Sequence, residues 1–181
     1  MGILNITPDS FYDGSELVIA ERSGFRCDRD KLLFKAEKMI SDGAKILDIG
    51  GESTRPGSKA ISVDEELDRT ISVLEILSAE FDVLLSIDTS KPAVMSAALA
   101  AGAGLVNDVR ALACSGAAKV VAEAQPQPAV CLMHMQGQPE FMQQACSYGS
   151  VVEEVFNFLK QRIAFSVQAG IERSRILVDP G

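Results

Sequence analysis

The chain has 181 residues, of which 47% are hydrophobic and 23% charged, and its formal net charge is −8. This length suffices for one globular domain with a buried core. The acidic balance argues against a nucleic-acid partner, which requires a clustered basic face. No apolar run is long enough to span a membrane, and the N-terminus lacks a secretory signal pattern, so we expect a cytoplasmic protein without a membrane partner.

Six short apolar runs recur along the chain, and each ends on a polar residue that opens a turn. The closing residues are Asn5, Asp48, Asp88, Asn107, His134 and Asp179. Strands buried on both faces appear in sequence as continuous apolar stretches, and the crossovers between parallel strands bring their carboxyl ends to one side. The runs therefore predict a parallel sheet whose polar strand ends share one pocket.

Helical start signals lie between these runs. Asp28 or Asp30 can cap a first helix, and Pro92 suits the first turn of a later one. The sequence predicts capping boxes at Ser62 and Ser150. In a capping box, the serine side chain and the side chain of a glutamate three residues later each accept a hydrogen bond from the other residue's backbone N–H. The order of elements is thus an alternation of strand and helix.

Glycine follows three predicted helices, where a left-handed residue is needed before the next strand: Gly43, Gly102 and Gly170. Residues 7–27 and 136–148 show no clear periodicity. Both follow strand ends, so we expect irregular, mobile active-site loops there.

The alternation favours a (β/α)₈ barrel over a Rossmann sheet. No Gly-x-Gly-x-x-Gly follows the first run, and in a barrel every strand end contributes to the site. Only about six of the eight βα units can be counted. We therefore expect residues 1–181 to form one barrel domain that is truncated at its C-terminus.

Two long motifs resemble the signatures of the dihydropteroate synthases. They span residues 1–11, MGILNITPDSF, and residues 48–57, DIGGESTRPG. Shorter motifs at residues 86–89, 106–108, 131–137 and 177–181 follow in that family's order. The resemblance implies a pterin-binding (β/α)₈ barrel. It also implies a transferase of folate biosynthesis, which joins p-aminobenzoate to 6-hydroxymethyl-7,8-dihydropterin pyrophosphate and releases pyrophosphate.

The resemblance assigns the pterin to three strand-end residues, Asp88, Asn107 and Asp179. A pterin presents N–H donors along one edge, so its site needs buried acceptors. Met133 would pack on the ring face. The alternative is that these polar residues only cap the following helices, and that Met133 is an ordinary core residue.

The remaining assignments concern the pyrophosphate and p-aminobenzoate. By resemblance, Arg55 grips the pyrophosphate, Thr54 and Pro56 shape the p-aminobenzoate side, and Phe11 belongs to a loop that closes over it. Asn5 meets the Mg²⁺ ion that bridges the pyrophosphate.

Asp48 and His134 also close predicted strands. Asp48 either approaches the substrates or supports neighbouring groups, and both interpretations stay open. His134, the single histidine of the chain, is ranked below the acids because a lone strand-end histidine is commonly structural.

The expected reaction needs no covalent intermediate with the protein, whose role would be electrostatic. Mg²⁺ and Arg55 would stabilise the departing pyrophosphate, and Asp88 and Asp179 would favour positive charge on the pterin methylene. Asp88, Asp179 and Arg55 are accordingly the predicted catalytic residues.

The sequence departs from the family pattern in its first loop and at its C-terminal end. The first loop reads Phe11-Tyr12-Asp13-Gly14-Ser15 where the family has Phe-Ser-Asp-Gly-Gly, and the family's later lysine and Arg-x-His fall past Gly181. Their loss would leave the 181-residue chain inactive, with exposed edge strands that promote aggregation. The family is commonly dimeric, so a homodimer is expected for the full-length protein. The alternatives are a methyltetrahydrofolate methyltransferase-like barrel and a non-catalytic pterin-binding fragment.

Overall fold

A computed structural model describes residues 1–7, 18–21, 24–53, 60–135 and 148–181. The described strands are β1 (Gly2–Asn5), β2 (Val18–Glu21), β3 (Gly24–Cys27), β4 (Ile46–Gly50), β5 (Leu84–Asp88), β6 (Leu105–Asp108), β7 (Ala129–Met133) and β8 (Ile176–Asp179). The described helices are α1 (Arg29–Ser41), α2 (Val63–Glu80), α3 (Pro92–Ala100), α4 (Ala117–Glu123) and α5 (Val151–Gln168), with a 3₁₀ turn at Arg173–Arg175.

The main sheet is parallel and its strands lie in the order β1-β4-β5-β6-β7-β8. The order follows the chain and never reverses, so this sheet has no switch point of the Rossmann type. Helical crossovers connect the successive strands of this sheet, as in a (β/α)₈ barrel, which confirms the prediction of a partial barrel. β1 and β8 form its two edges.

The two faces of this sheet differ in chemistry. Side chains alternate along each strand, and one alternating set, including Leu47, Ile49, Leu85 and Ile87, is buried with the helices. The helices contribute Leu32, Val73 and Met95 to the same core. The other set faces the inside of the barrel, and it contains polar residues such as Asp88 and Asn107 towards the carboxyl ends of the strands and apolar ones such as Leu84 towards the amino ends.

The helix starts follow the sequence signals in three cases, including Pro92 in the first turn of α3, and not in a fourth. Asp28 accepts a hydrogen bond from the backbone N–H of Lys31, and Ser62 accepts one from that of Glu65. The capping box predicted at Ser150 is wrong, because the Ser150 side chain makes no capping hydrogen bond. The carboxylate of Glu154 accepts from the backbone N–H of Ser150 instead, at 3.1 Å.

The predicted glycine exits are confirmed at Gly43, Gly102 and Gly170, which have φ angles of 103°, 105° and 103°. The expected irregular loop over residues 7–27 is wrong for its second half, where β2 and β3 form an antiparallel hairpin. The expectation for residues 136–147 concerns a segment outside the described residues. None of the described helices is both long and apolar enough to cross a membrane.

Candidate active site

The carboxyl ends of four neighbouring strands bring three predicted site residues, Asn5, Asp88 and Asn107, into one row together with Gly50. Cα register pairs Asn5 with Gly50, Gly50 with Asp88, and Asp88 with Asn107. In neighbouring parallel strands, paired residues project to the same face. Asn5, Asp88 and Asn107 therefore lie side by side on the inner face of the barrel, as the sequence predicts.

The alternative that these residues merely cap the following helices is wrong for two of them. Helix α3, which follows Asp88, has Lys91 at its N-cap, and helix α4, which follows Asn107, has Gly116 there. The neighbouring Asp108 takes the local backbone role, because it accepts hydrogen bonds from the N–H groups of Arg110 and Leu112 at 2.8 Å each. Asp88 and Asn107 therefore do not cap the helices that follow them.

Asp88 is the acid of this row, and its pKa is strongly raised. Burial, followed by the negative charges of Asp48, Asp108, Glu66 and Glu52, raises its pKa to about 8. Burial and nearby negative charges both disfavour the ionised form of a carboxyl group, so its pKa rises. A ligand that offers N–H donors or positive charge would favour the ionised form. Perturbation of this kind is common in functional sites.

Asp48 supports Asn107. The Nδ2 group of Asn107 donates a hydrogen bond of 3.1 Å to Oδ2 of Asp48, which lies one row deeper in the barrel. Burial raises the pKa of Asp48, and the hydrogen bond from Asn107 opposes that rise. This hydrogen bond holds the Asn107 amide in one orientation. The Oδ1 atom of Asn107 remains as an acceptor. Of the two interpretations left open for Asp48, the geometry favours support.

Gly50 keeps a space open between Asn5 and Asp88. A Cβ atom added at Gly50 would lie 3.4 Å from Oδ1 of Asn5 and 3.7 Å from Oδ2 of Asp88. Both oxygens border the volume that this carbon would occupy. A glycine inside a strand commonly marks the close approach of a ligand. The row thus includes an open position with oxygen acceptors on two sides.

Cys131 extends the same row, although its sequence context did not single it out. It pairs in register with Asn107 and shares the inner face with Met133, two residues later. Burial and the charges of Asp179, Asp48 and Asp88 raise its pKa to about 11, so the thiol stays protonated. The period-2 alternation of strand β7 was the signal that could have identified it.

The predicted residues Met133 and Asp179 are also adjacent, since they pair in register between β7 and β8. Asp179 differs from the expected buried acceptor, because β8 is an edge strand and Asp179 is exposed. Its Oδ1 accepts a hydrogen bond from the backbone N–H of Gly181 at 2.9 Å. His134 is buried against the edge of the Phe158 ring, at 5.1 Å between centroids, which suits a packing role.

The predicted positions Phe11, Thr54, Arg55 and Pro56 lie outside the described residues. Within the described part of the chain, no group of three or more His, Cys, Asp or Glu residues could hold a metal ion. Asn5 offers one neutral oxygen to a cation. That fits Mg²⁺ only where a bound phosphate supplies further ligands, because Mg²⁺ often takes one or two protein oxygens beside phosphate and water.

Two cavities lie at opposite ends of the sheet. A cavity of about 170 Å³ borders Asp88 and Lys91 at the carboxyl ends of the strands. A larger one, of about 630 Å³, lies beside Gly104 and Pro128, which precede β6 and β7. The larger cavity is therefore at the amino ends of the strands, away from the row of acceptors. Barrel enzymes place their chemistry at the carboxyl ends.

The whole chain, residues 1–181, matches the family model described as "Pterin binding enzyme". The chain belongs to the pterin-binding enzyme family. A curated family member, the dihydropteroate synthase of Escherichia coli strain K12, is 45% identical over 184 residues, which cover 100% of this chain and 60% of that protein.

Solved structures of the family agree with this assignment. The Yersinia pestis dihydropteroate synthase with a sulfonamide drug complex has a TM-score of 0.90 and 46% identity, covering 100% of this chain and 62% of that one. The Burkholderia cenocepacia dihydropteroate synthase complexed with 7,8-dihydropteroate has a TM-score of 0.81 and 46% identity, covering 100% and 57%. This member of the pterin-binding enzyme family spans about 60% of the length of the curated relatives it matches.

Proposed function

We propose that the chain provides the pterin-binding part of a dihydropteroate synthase. The reaction joins p-aminobenzoate to 6-hydroxymethyl-7,8-dihydropterin pyrophosphate and yields 7,8-dihydropteroate and pyrophosphate. The observation that carries the proposal is the row of Asn5, Gly50, Asp88 and Asn107, in a chain 45% identical to a dihydropteroate synthase.

The pterin would bind along this row. Its N–H groups would donate to the carboxylates of Asp88 and Asp179, and its edge would pair with both amide atoms of Asn107, whose orientation Asp48 supports. Met133 would pack against the ring face. Because the pKa of free Asp88 is raised, donors from the ligand would stabilise its ionised form and release a proton on binding near neutral pH.

The pyrophosphate would lie beyond the pterin, towards Asn5 and Arg55. Asn5 would hold Mg²⁺ together with substrate oxygens, and the ion would stabilise negative charge on the leaving group. The Arg55 guanidinium would bind the same phosphates through its paired donors.

The protein groups would then favour separation of charge during the reaction. The bond between the pterin methylene carbon and the pyrophosphate oxygen breaks, and the bonding electrons leave with pyrophosphate. The carboxylates of Asp88 and Asp179 favour the positive charge that develops on the methylene and ring. The amine of p-aminobenzoate attacks this carbon and loses a proton. Thr54, Pro56 and Phe11 would surround p-aminobenzoate and exclude water.

The same proposal includes a cytoplasmic location and a homodimer for the full-length protein. Both are open to measurement, by fractionation and by light scattering of the purified protein.

The decisive experiment supplies the full gene product that contains this chain with both substrates and Mg²⁺, and measures 7,8-dihydropteroate by mass spectrometry. Product that requires both p-aminobenzoate and the pterin pyrophosphate supports the proposal. Methyl transfer from methyltetrahydrofolate would instead indicate the methyltransferase-like alternative. Pterin binding with neither product would indicate a non-catalytic pterin-binding protein.

A further inference from the structure

One lysine connects the exit of strand β4 to the segment that carries Asp88. The ammonium group of Lys91 forms ion pairs with the carboxylates of both Glu52 and Glu66. Glu52 follows β4 by two residues, Glu66 lies in the first turn of α2, and Lys91 follows Asp88 by three residues. Lys91 therefore joins two strand exits through one helix.

The burial of this cluster makes the lysine necessary. The side chain of Glu66 is 1% exposed, and that of Lys91 is 23% exposed. A buried carboxylate is costly unless a cation pairs with it. Burial alone would lower the pKa of Lys91, but the two glutamates outweigh that effect and raise it. The lysine is therefore charged at neutral pH and remains bound between its partners.

The backbone between Gly50 and Glu52 is held against α2 by a second cation. The buried Arg69 donates a 2.8 Å hydrogen bond from Nη1 to the carbonyl oxygen of Gly51. A Cβ atom at Gly51 would lie only 2.7 Å from Cγ2 of Thr70, so only a glycine allows this approach. Arg69 fixes the backbone of the strand exit, and Lys91 fixes the side chain that follows it.

The cluster also borders the acceptor row. Glu52, Glu66, Lys91 and Asp88 all line the cavity of about 170 Å³ at the carboxyl ends of the strands. Thr54, Arg55 and Pro56, which we expect to contact p-aminobenzoate and pyrophosphate, begin two residues after Glu52 in the sequence. The ion pair with Lys91 thus holds Glu52, which precedes Thr54 by two residues in the sequence, beside the cavity that Asp88 also lines.

We propose that Lys91 is a positioning residue for the second substrate: by bridging Glu52 to Glu66 it fixes the exit of β4 relative to the strand end at Asp88. The proposal rests on the proposed function. It assigns Lys91 no contact with either substrate. Its loss should weaken the use of p-aminobenzoate far more than the binding of the pterin.

The test compares Lys91→Met, Lys91→Arg and Glu52→Gln in the full gene product, with Lys38→Met as a matched control. Lys38 forms an exposed ion pair with Asp42, the C-cap of α1, which precedes the amino end of β4, whereas the row of acceptors lies at the carboxyl ends of the strands. Steady-state kinetics give the KM for p-aminobenzoate, calorimetry gives the pterin Kd, and hydrogen exchange follows the amides of residues 51–53.

We expect Lys91→Met to raise the KM for p-aminobenzoate about 10-fold or more, because small displacements of a binding segment have large kinetic effects. The pterin Kd should change less than about 3-fold, and exchange at residues 51–53 should accelerate. Lys91→Arg should restore most of the loss, since its forked donors can reach two carboxylates. Glu52→Gln should reproduce the KM effect while leaving buried Glu66 paired with Lys91, which keeps the test informative if Lys91→Met does not fold.

An unchanged KM in Glu52→Gln, or equal losses for p-aminobenzoate and pterin in every variant, would overturn the proposal. If the parent protein forms no product, the proposed function fails. Hydrogen exchange then still decides whether Lys91 fixes the exit of β4, because unchanged exchange in Lys91→Met and Glu52→Gln would refute it.

Discussion

Replacing Asp88 by asparagine should make the free protein more stable and its pterin complex weaker. The folded protein holds Asp88 at a pKa of about 8, against a value of 3.8 for the unperturbed group. The folded state therefore binds one more proton than the unfolded state between these two pH values. The contribution of Asp88 to stability is present at low pH and is lost as the pH rises towards 8.

The magnitude follows from this single proton. Each pH unit within the interval lowers the free energy of unfolding by up to about 1.4 kcal/mol on account of Asp88. From pH 5 to pH 8 the total is on the order of 4 kcal/mol as an upper bound. An asparagine has nearly the same shape and no charge, so it escapes this penalty. We expect Asp88→Asn to melt several degrees above the parent at pH 8, with a smaller difference at pH 5.

Pterin binding should change in the opposite direction. Asparagine places an N–H donor where the proposed ligand needs an acceptor, and a buried polar group without a partner costs about 1–3 kcal/mol, or roughly 5- to 150-fold in Kd. Calorimetry with 6-hydroxymethyl-7,8-dihydropterin measures this loss. The proton released on binding, obtained by comparing buffers of different ionisation enthalpy, should also disappear.

The control is Asp82→Asn, an exposed position beyond the other end of the same strand. It should alter neither the pH dependence of melting nor the pterin Kd. An Asp88→Asn protein that is less stable than the parent at pH 8, or that binds the pterin equally well, would refute the reasoning.

Three further predictions concern other parts of the row and the sheet edge. Gly50→Ala should weaken pterin binding about 10-fold, because the added methyl group fills the space beside the acceptors. Its melting temperature should be unchanged or slightly raised. Gly149→Ala is the control and should leave the pterin Kd unchanged. Asp48→Ala should release the Asn107 amide and also remove a negative charge that raises the pKa of Asp88, so the double variant with Asn107→Ala should bind no worse than Asn107→Ala alone in calorimetry; a further loss in the double variant would contradict this. Val178→Lys on the exposed edge strand β8 should reduce self-association of the 181-residue chain in light scattering, and equal association would argue against edge pairing.

The parallel strands and the helices between them could be predicted, because the local sequence pattern of each strand agrees with the pairing that the sheet requires. Runs ending at Asp88 and Asn107 are apolar, flanked by helical segments, and closed by residues unsuited to a strand interior. Parallel pairing then forces their ends to one side of the sheet. The sequence pattern of these two residues therefore indicated both the sheet and the site.

Other features could not be predicted because their causes are not local. The hairpin of β2 and β3 has strands of four residues each, too short for periodicity to separate from a loop. The Ser150 box failed because Glu154, one residue beyond the expected position, accepts from the backbone instead. The bridge made by Lys91 joins residues 25 and 39 positions away, which no spacing rule connects.

A crystal structure of the chain with bound pterin would test the central claim most directly. The proposal predicts the ring on the inner face of the barrel, with its N–H edge against Asp88 and Asn107 and its substituted end towards Asn5. A ring bound elsewhere, such as in the larger cavity at the amino ends of β6 and β7, or no binding at millimolar concentration, would contradict it.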